Sequence, residues 1–272
     1  MADSAASLIA PLRARRYSGM NWVGLRTLFE REIRRFLKVS AQTLIAPLIT
    51  TILYISVFAL ALGGRGAPIG GVAYIDFLAP GLIMMGVINN AFQNASSSLI
   101  IAKIQGNSVD FLMPPLSALE LTIAFIGGAA ARGIIVGLAS LVAIAPFADL
   151  APDHWWAVLL FIAAASVIFG AIGLLGGVWA DKFDHLAAVT NFIITPLTFL
   201  SGTFYSINRL PEPIRDVAHY NPVFLLIDGF RYGFIGHADG PIVWAAAVSV
   251  ALAAILSTAC WALIKSGWRL KA

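Results

Sequence analysis

The chain has 272 residues, of which 59% are hydrophobic and only 12% charged, and its mean hydropathy is +0.85. A soluble domain carries about 25% charged residues, so this composition excludes one and marks an all-α polytopic membrane protein. The formal net charge of +4 does not point to nucleic acid, because most basic residues lie in the N-terminal arm and at the ends of apolar runs.

Residues 1–20 read as a flexible basic arm with Arg13, Arg15 and Arg16. It is polar and then basic, unlike a cleavable leader. From Asn21 to Lys38 the pattern becomes helical. Trp22, Leu25, Phe29, Ile33, Phe36 and Leu37 fall near one face, and Arg26, Glu30, Arg31, Arg34, Arg35 and Lys38 take the other. Such a helix is expected to lie in the membrane surface.

Residues 39–272 then read as a six-span domain. Span one is Ala41 to Leu62, closed by Gly63-Gly64-Arg65-Gly66. Span two is Val72 to Ile101, with a kink expected at Pro80-Gly81. A short connector, KIQGNSVDFLMPP at 103–115, leads to span three, Leu116 to Phe147. Asp149 to His154 form a turn and Trp155-Trp156 an interfacial anchor for span four, which ends near Trp179. Asp181, Lys182, Asp184 and His185 make the next turn. Span five, Leu186 to Ser201, is interrupted at Pro196, and span six is Pro241 to Ile264.

Between spans five and six, residues 203–236 are neither a loop nor a span. Gly202 breaks the preceding helix, Pro211 and Pro213 sit in a polar hinge, and Asn221-Pro222 starts a new helix. The run VFLLIDGFRYGFIG is apolar but too short to cross, and it carries Asp228 and Arg231. A dip that returns to its own side is a re-entrant element, tolerated at depth only where protein or a water-filled cavity surrounds it. With the N-terminus inside, only Arg65, Arg209, Arg215 and Arg231 of the 18 Lys and Arg fall outside, apart from Arg132 within span three. Both termini are therefore expected in the cytoplasm, with the re-entrant hairpin on the outer side.

No G-x-x-x-x-G-K-[ST] is present, so no P-loop binds ATP here. His154, His185, His219 and His237 lie in separate loops without ligand spacing. No metal or cofactor is expected on this chain. Polar residues within spans carry more information, since hydrocarbon penalises them. Asn90, Asn94 and Ser97 recur at helical spacing on span two, with Asn89 and Gln93 beside them; Thr195, Thr198 and Ser201 do the same on span five. The two stripes read as walls of a pathway or as a subunit seam, and singly as packing glue. Arg132 needs a partner, and Glu120 is about 18 Å away along the same helix. A carbonyl, another helix or an anionic head group remains. In the connector, Val109, Phe111, Leu112 and Met113 form an apolar knob, expected to dock a partner or to lie back on the surface helix.

Four segments are then familiar in combination: the amphipathic helix, YIDFLAPGLI at Tyr74–Ile83, DFLMPPLSALE at Asp110–Glu120, and the re-entrant stretch with FLSGTFYSINRLP and HYNPVFLLIDGFRYGFIG. Together they resemble the permease subunits of type-two ABC exporters, the ABC-2 type transporter family, over Trp22 to Lys265. The resemblance implies a six-helix half-transporter that pairs with a second permease copy, expected to be identical. It also implies two ABC ATPase subunits that carry the ATP and Mg. Asn107, Val109, Asp110, Phe111, Leu112 and Met113 would be the coupling helix; Trp22, Phe29, Arg34 and Arg35 would belong to the connecting or gate helix. Phe204, Asn221, Pro222, Asp228 and Arg231 would belong to the outer re-entrant hairpin. The expected substrate is an amphiphile (lipid-linked glycan, lipid or hydrophobic drug) exported across the cytoplasmic membrane. Two other readings are a secondary transporter not driven by ATP, which needs titratable residues at mid-span, and an intramembrane lipid-modifying enzyme, which needs turnover by the chain alone.

Overall fold

The computed structural model describes residues 19–62, 69 and 71–269, with the backbone alone for 61–62 and 213–214. The predicted basic arm (Gly19 and Met20 excepted), the Gly63–Gly66 turn with Arg65, and Lys271 lie outside them. The described residues are helical, with no strand beyond one isolated bridge between Ile69 and Val72.

Helix α1, Trp22–Lys38, is capped by the Asn21 side chain, which accepts from the Gly24 amide at 3.0 Å. Its last turn is closed from the following segment: Thr43 Oγ1 donates to the Phe36 and Val39 carbonyls. A π turn at Ala41–Ile45 then leads into α2, Ala46–Leu62. Helix α2 is apolar nearly all round, and Ile49, Leu53, Val57 and Leu60 are exposed along it. That is untenable in water and ordinary in lipid.

Helix α3, Tyr74–Ile104, is the axis of the fold, with most of its side chains buried. Pro80 lies inside it without ending it. A four-residue helix α4, Val109–Leu112, turns the chain into α5, Ala118–Ile144. Helix α5 opens on a capping box, with Ser117 and Glu120 each accepting from the other's amide. Helix α6 is Trp155–Trp179. It meets α3 across small residues, where van der Waals packing replaces a hydrophobic driving force. Gly173 and Gly177 face the Phe92 and Ser96 backbone so closely that a Cβ at Gly173 would overlap the Phe92 carbonyl. The carbonyls at the end of α6 are met by Lys103, which donates to Val178 and Ala180. This is the favourable placement of a cation at a helix C-terminus.

Helices α7, Phe183–Val189, and α8, Thr195–Phe199, form one broken helix around a π turn at Thr190–Ile194. The break precedes Pro196 rather than sitting on it. Pro196 has no amide to offer, and the widened turn absorbs the mismatch, with the Thr195 amide reaching the Thr190 carbonyl. The π turn before α2 stands in the same relation to Pro47, with the Ala46 amide on the Ala41 carbonyl. The two sites share a local pattern, Ile45-Ala46-Pro47-Leu48 and Ile194-Thr195-Pro196-Leu197.

Helices α9, Glu212–His219, and α10, Pro222–Ile235, form the predicted hairpin region, and α11, Ile242–Ser266, closes the fold. Helix α10 does not lie on the surface. Val223 to Arg231 are all buried, against α6, α3 and α11. Gly229 and Gly233 let it seat: a Cβ on Gly229 would enter the Phe161 ring. Among the described residues, five stretches are long and apolar enough to cross a membrane, namely Ala41–Leu60, α3, α5, α6 and α11. The predicted fifth span is not among them, because its continuous helical run, Phe183–Phe199 with the π turn included, is shorter than the ~20 residues a crossing takes.

Candidate functional site

The α3–α5 connection forms one end of the molecule. Asn107, Val109, Asp110, Leu112 and Met113 are exposed there. Phe111 differs. It is 4% exposed and packs edge-on against Phe125 at 5.4 Å between ring centroids. The expectation of a fully exposed knob is corrected at this residue, because on a single helical turn one side must face the body. Phe111 is the root of the tip, and Val109 and Met113, 55% and 78% exposed, are its free surface.

This tip is joined to α1. Glu120, at the start of α5, accepts from the Asn21 amide, and Asn21 Nδ2 donates to the Pro115 carbonyl at 3.3 Å. Glu120 is thus used far from Arg132, in agreement with the spacing argument. Along α1 the buried line is Leu25, Leu28, Glu32 and Phe36. Trp22 and Leu37, predicted to share an apolar face, are exposed at 69% and 46%. Arg34 is also exposed, pairing with Glu30. Phe29 is partly buried and lies against Gly127 of α5. Arg26 beside Glu30 holds that exposed carboxyl below its ordinary range.

Glu32 was missed by the reading from sequence. It is fully buried, with its Cβ against Gly128 of α5. Its carboxylate accepts from Ser98 Oγ at 2.8 Å and from Arg35 Nη2 at 3.2 Å and Nε at 3.3 Å. Arg35 continues into α3, donating to the Asn94 carbonyl at 2.7 Å, Asn94 Oδ1 at 2.9 Å and Ser97 Oγ at 3.1 Å. A signal for Glu32 exists in the sequence: it completes the helical spacing Leu25, Leu28, position 32, Phe36. A carboxylate at a core-facing position requires a cation and further donors, and Arg35 and Ser98 supply them.

The predicted stripe on α3 therefore divides. Asn94 and Ser97 bind Arg35 of α1. Asn90 Oδ1 accepts from Arg132 Nη2 at 2.8 Å, so another helix supplies that partner. Asn89 and Gln93 face outward with Gln42, Thr50 and Tyr54, lining a groove of about 380 Å³ between α2 and α3. Helix α8 does not complete this wall within the chain. Thr195 is half-buried. Thr198 donates to the Thr195 carbonyl, and Ser201 accepts from Asn221 Nδ2 at 2.7 Å. The α8 stripe thus packs against the start of α10.

Above the groove, Tyr54 and Phe58 of α2 meet Phe199 and Phe204. The Phe204 ring lies 5.0 Å from Phe199, 5.2 Å from Phe58 and 6.1 Å from Tyr54. A larger groove of about 610 Å³, between α5 and α11, is lined by Leu119, Ile123, Ile126 and Trp261. Its wall is apolar apart from Ser257, and the Thr122 and Thr258 hydroxyls are spent on their own helices. Convergent polar groups mark a binding site better than volume does, which favours the α2/α3 groove.

The residues expected in the re-entrant hairpin form a clamp. Asn221 caps α10 through the Val223 amide at 3.0 Å, and Pro222 fills the first helical position. Asp228 accepts from the Asp239 and Gly240 amides, each at 3.0 Å. Arg231 is 1% exposed; it donates to the Gly202 carbonyl at 2.7 Å and the Phe77 carbonyl at 3.2 Å and lies over the Phe77 ring. Asp239, not singled out from sequence, binds Ser206 Oγ at 2.8 Å and Asn208 Nδ2 at 3.0 Å.

The model of the family described as ABC-2 type transporter matches residues 23–235. The chain is 39% identical over 246 residues to the inner membrane transport permease YadH of Escherichia coli K12, covering 90% of this chain and 96% of that protein. It is 23% identical over 219 residues to nodulation protein J of Neorhizobium galegae, covering 80% and 82%, and 24% identical over 225 residues to nodulation protein J of Rhizobium leguminosarum bv. viciae, covering 80% and 83%. With the apolar helices and the arrangement of tip, α1 and α3 described above, these matches make this chain a membrane transport permease that belongs to the ABC-2 type transporter family.

Proposed function

We propose that this permease is the transmembrane subunit of an ATP-driven exporter that moves an amphiphile across the cytoplasmic membrane. Two separate ATPase subunits energise it, and a second identical permease completes the pathway. ABC-2 permeases generally work with ATPase subunits, and this sequence has no P-loop of its own. In this reading both termini are cytoplasmic, α1 lies in the inner membrane surface, and Phe183–Phe199 is the fifth of six spans, short and hinged at its π turn. Residues 203–236 form the outer re-entrant hairpin, clamped through Asp228, Arg231 and Asp239.

The observation that carries the proposal is the continuous linkage from tip to groove. Val109, Leu112 and Met113 project from a base fixed by Phe111. Asn21 and Glu120 join that base to α1, and Glu32 and Arg35 join α1 to the α3 helix that lines the groove. A push on the tip is transmitted because each joint is a buried or charge-assisted contact rather than a loose surface one. The substrate moves between α2 and α3, where Gln42, Asn89 and Gln93 offer amides and Tyr54, Phe58 and Phe204 offer aromatic faces. An amphiphile needs both kinds of surface.

The test is a Val109→Asp/Met113→Asp permease. Both side chains are solvent-facing, so insertion and melting temperature should match the wild type, while ATPase association and coupled hydrolysis are lost. Unchanged hydrolysis and transport in this variant would overturn the assignment of the tip as the ATPase contact.

A further inference from the structure

Three ionised side chains reach the polar interior between α1, α3 and α5: Glu32, Arg35 and Arg132. Glu32 and Arg35 neutralise each other. Arg132 is 6% exposed and has no carboxylate within 4 Å among the described residues; its Nε has no hydrogen-bond partner. The surrounding elements cannot compensate it. Helices α2 and α6 carry no charged residue, α3 carries none between Asp76 and Lys103, and α5 carries none after Glu120 except Arg132 itself. This interior therefore holds a net charge of about +1 in a medium that penalises it. The charge stands directly behind Asn90, which also borders the α2/α3 groove.

We infer that Arg132, with Asn90, is the counter-charge for an anionic group, of phosphate or carboxylate chemistry, carried by the amphiphile in the α2/α3 groove. This rests on the transport reading above and adds the substrate's charge to it. A guanidinium offers a planar fork of donors suited to such oxyanions. Asn90 Nδ2 is held by the Gly86 carbonyl at 3.0 Å and Asn90 Oδ1 by Arg132. A small rotation of Asn90 would expose the guanidinium edge to the groove. Neighbouring Asn89 and Gln93 would meet the polar atoms next to the anionic group. Arg132 lies one turn, about 6 Å, beyond Gly128, which meets Glu32 of α1, so an anionic head group entering the groove beside α1 comes within reach of it.

The test uses the purified permease without any ATPase, so its failure leaves the coupling reading untouched. Detergent micelles are doped with dioleoyl phosphatidic acid or with dioleoyl phosphatidylcholine, and retained lipid is counted after gel filtration. Phosphatidic acid should be retained about tenfold or more over phosphatidylcholine, the return on one charge-assisted contact. Arg132→Lys should keep part of the preference and Arg132→Gln should lose it. Thr50→Trp, which fills the groove from α2 and leaves Arg132 intact, should lose retention of both lipids. An Asn90→Leu/Arg132→Met permease should lose the preference and melt higher than the wild type, because an uncompensated charge has left the interior. Displacement of phosphatidic acid by excess inorganic phosphate would identify the free anion as sufficient; retention against it would identify the amphiphile. Equal retention of the two lipids, a preference that survives Arg132→Gln, or a lower melting temperature in the double variant would overturn the inference.

Discussion

Glu32→Gln is the most informative single change, because it removes one charge and almost no volume from the joint between α1 and α3. In the wild type the carboxylate takes three donors, one from Ser98 and two from Arg35. The amide of glutamine can still accept one or two of these, but Arg35 then loses its counter-charge. Breaking a wholly buried pair costs about 3–5 kcal/mol. The Arg35 side chain is 25% exposed, so solvent takes part of its charge and the lower end, about 3 kcal/mol, applies. For a chain of this size each kcal/mol lowers the melting temperature by about 2–4 °C, which gives a drop of roughly 6–12 °C. The assay is thermal unfolding of the purified permease followed by tryptophan fluorescence. A Glu32→Gln/Arg35→Met chain should recover much of the loss, since removing both charges removes the imbalance, and the cycle measures the coupling. A shift within about 2 °C for Glu32→Gln, or a double variant no better than the single, would refute the view that this pair locks α1 to α3.

Other variants separate the parts of the fold. Gly229→Ala places a methyl in the Phe161 ring and should destabilise by about 1–3 kcal/mol or more through overpacking, seen as poor yield and early melting. Phe111→Asp buries a carboxylate against Phe125 without a partner; it should cost the fold itself, in contrast to the exposed Val109 and Met113. Asp228→Ala frees the Asp239 and Gly240 amides. Their hydrogen exchange should accelerate while exchange in α3 stays slow.

Much of this architecture was legible in the sequence because a membrane leaves few alternatives. Long apolar runs must be helices, and α3, α5, α6 and α11 appear close to where hydropathy placed them. Asn221-Pro222 did start a helix, with the side-chain cap that the pair implies. Two kinds of feature were hidden. Direction within a helix was one: Phe111 and Leu112 are adjacent and equally apolar, yet one is the root of the tip and the other its surface, a difference set by Phe125 more than ten residues along. Buried charge was the other. Glu32 sits among Arg31, Arg34 and Arg35 and reads as part of a solvated charged face until Gly128 and Ser98 show what it packs against. The Asn89–Asn94 run likewise gave one stripe, whereas two neighbouring helices and a groove divide it. The π turns before Pro47 and Pro196 follow from a missing amide, but where the slack is absorbed depends on packing.

In the function proposed above, a separate ATPase drives this chain. Purification of the tagged permease in mild detergent from its native membrane, with identification of what accompanies it and an assay of hydrolysis, tests this most directly. The expected result is a P-loop subunit in equal amount and vanadate-sensitive ATP hydrolysis that the Val109→Asp/Met113→Asp change abolishes. A permease that transports or turns over substrate alone, with no ATPase attached and no response to ATP, would contradict it.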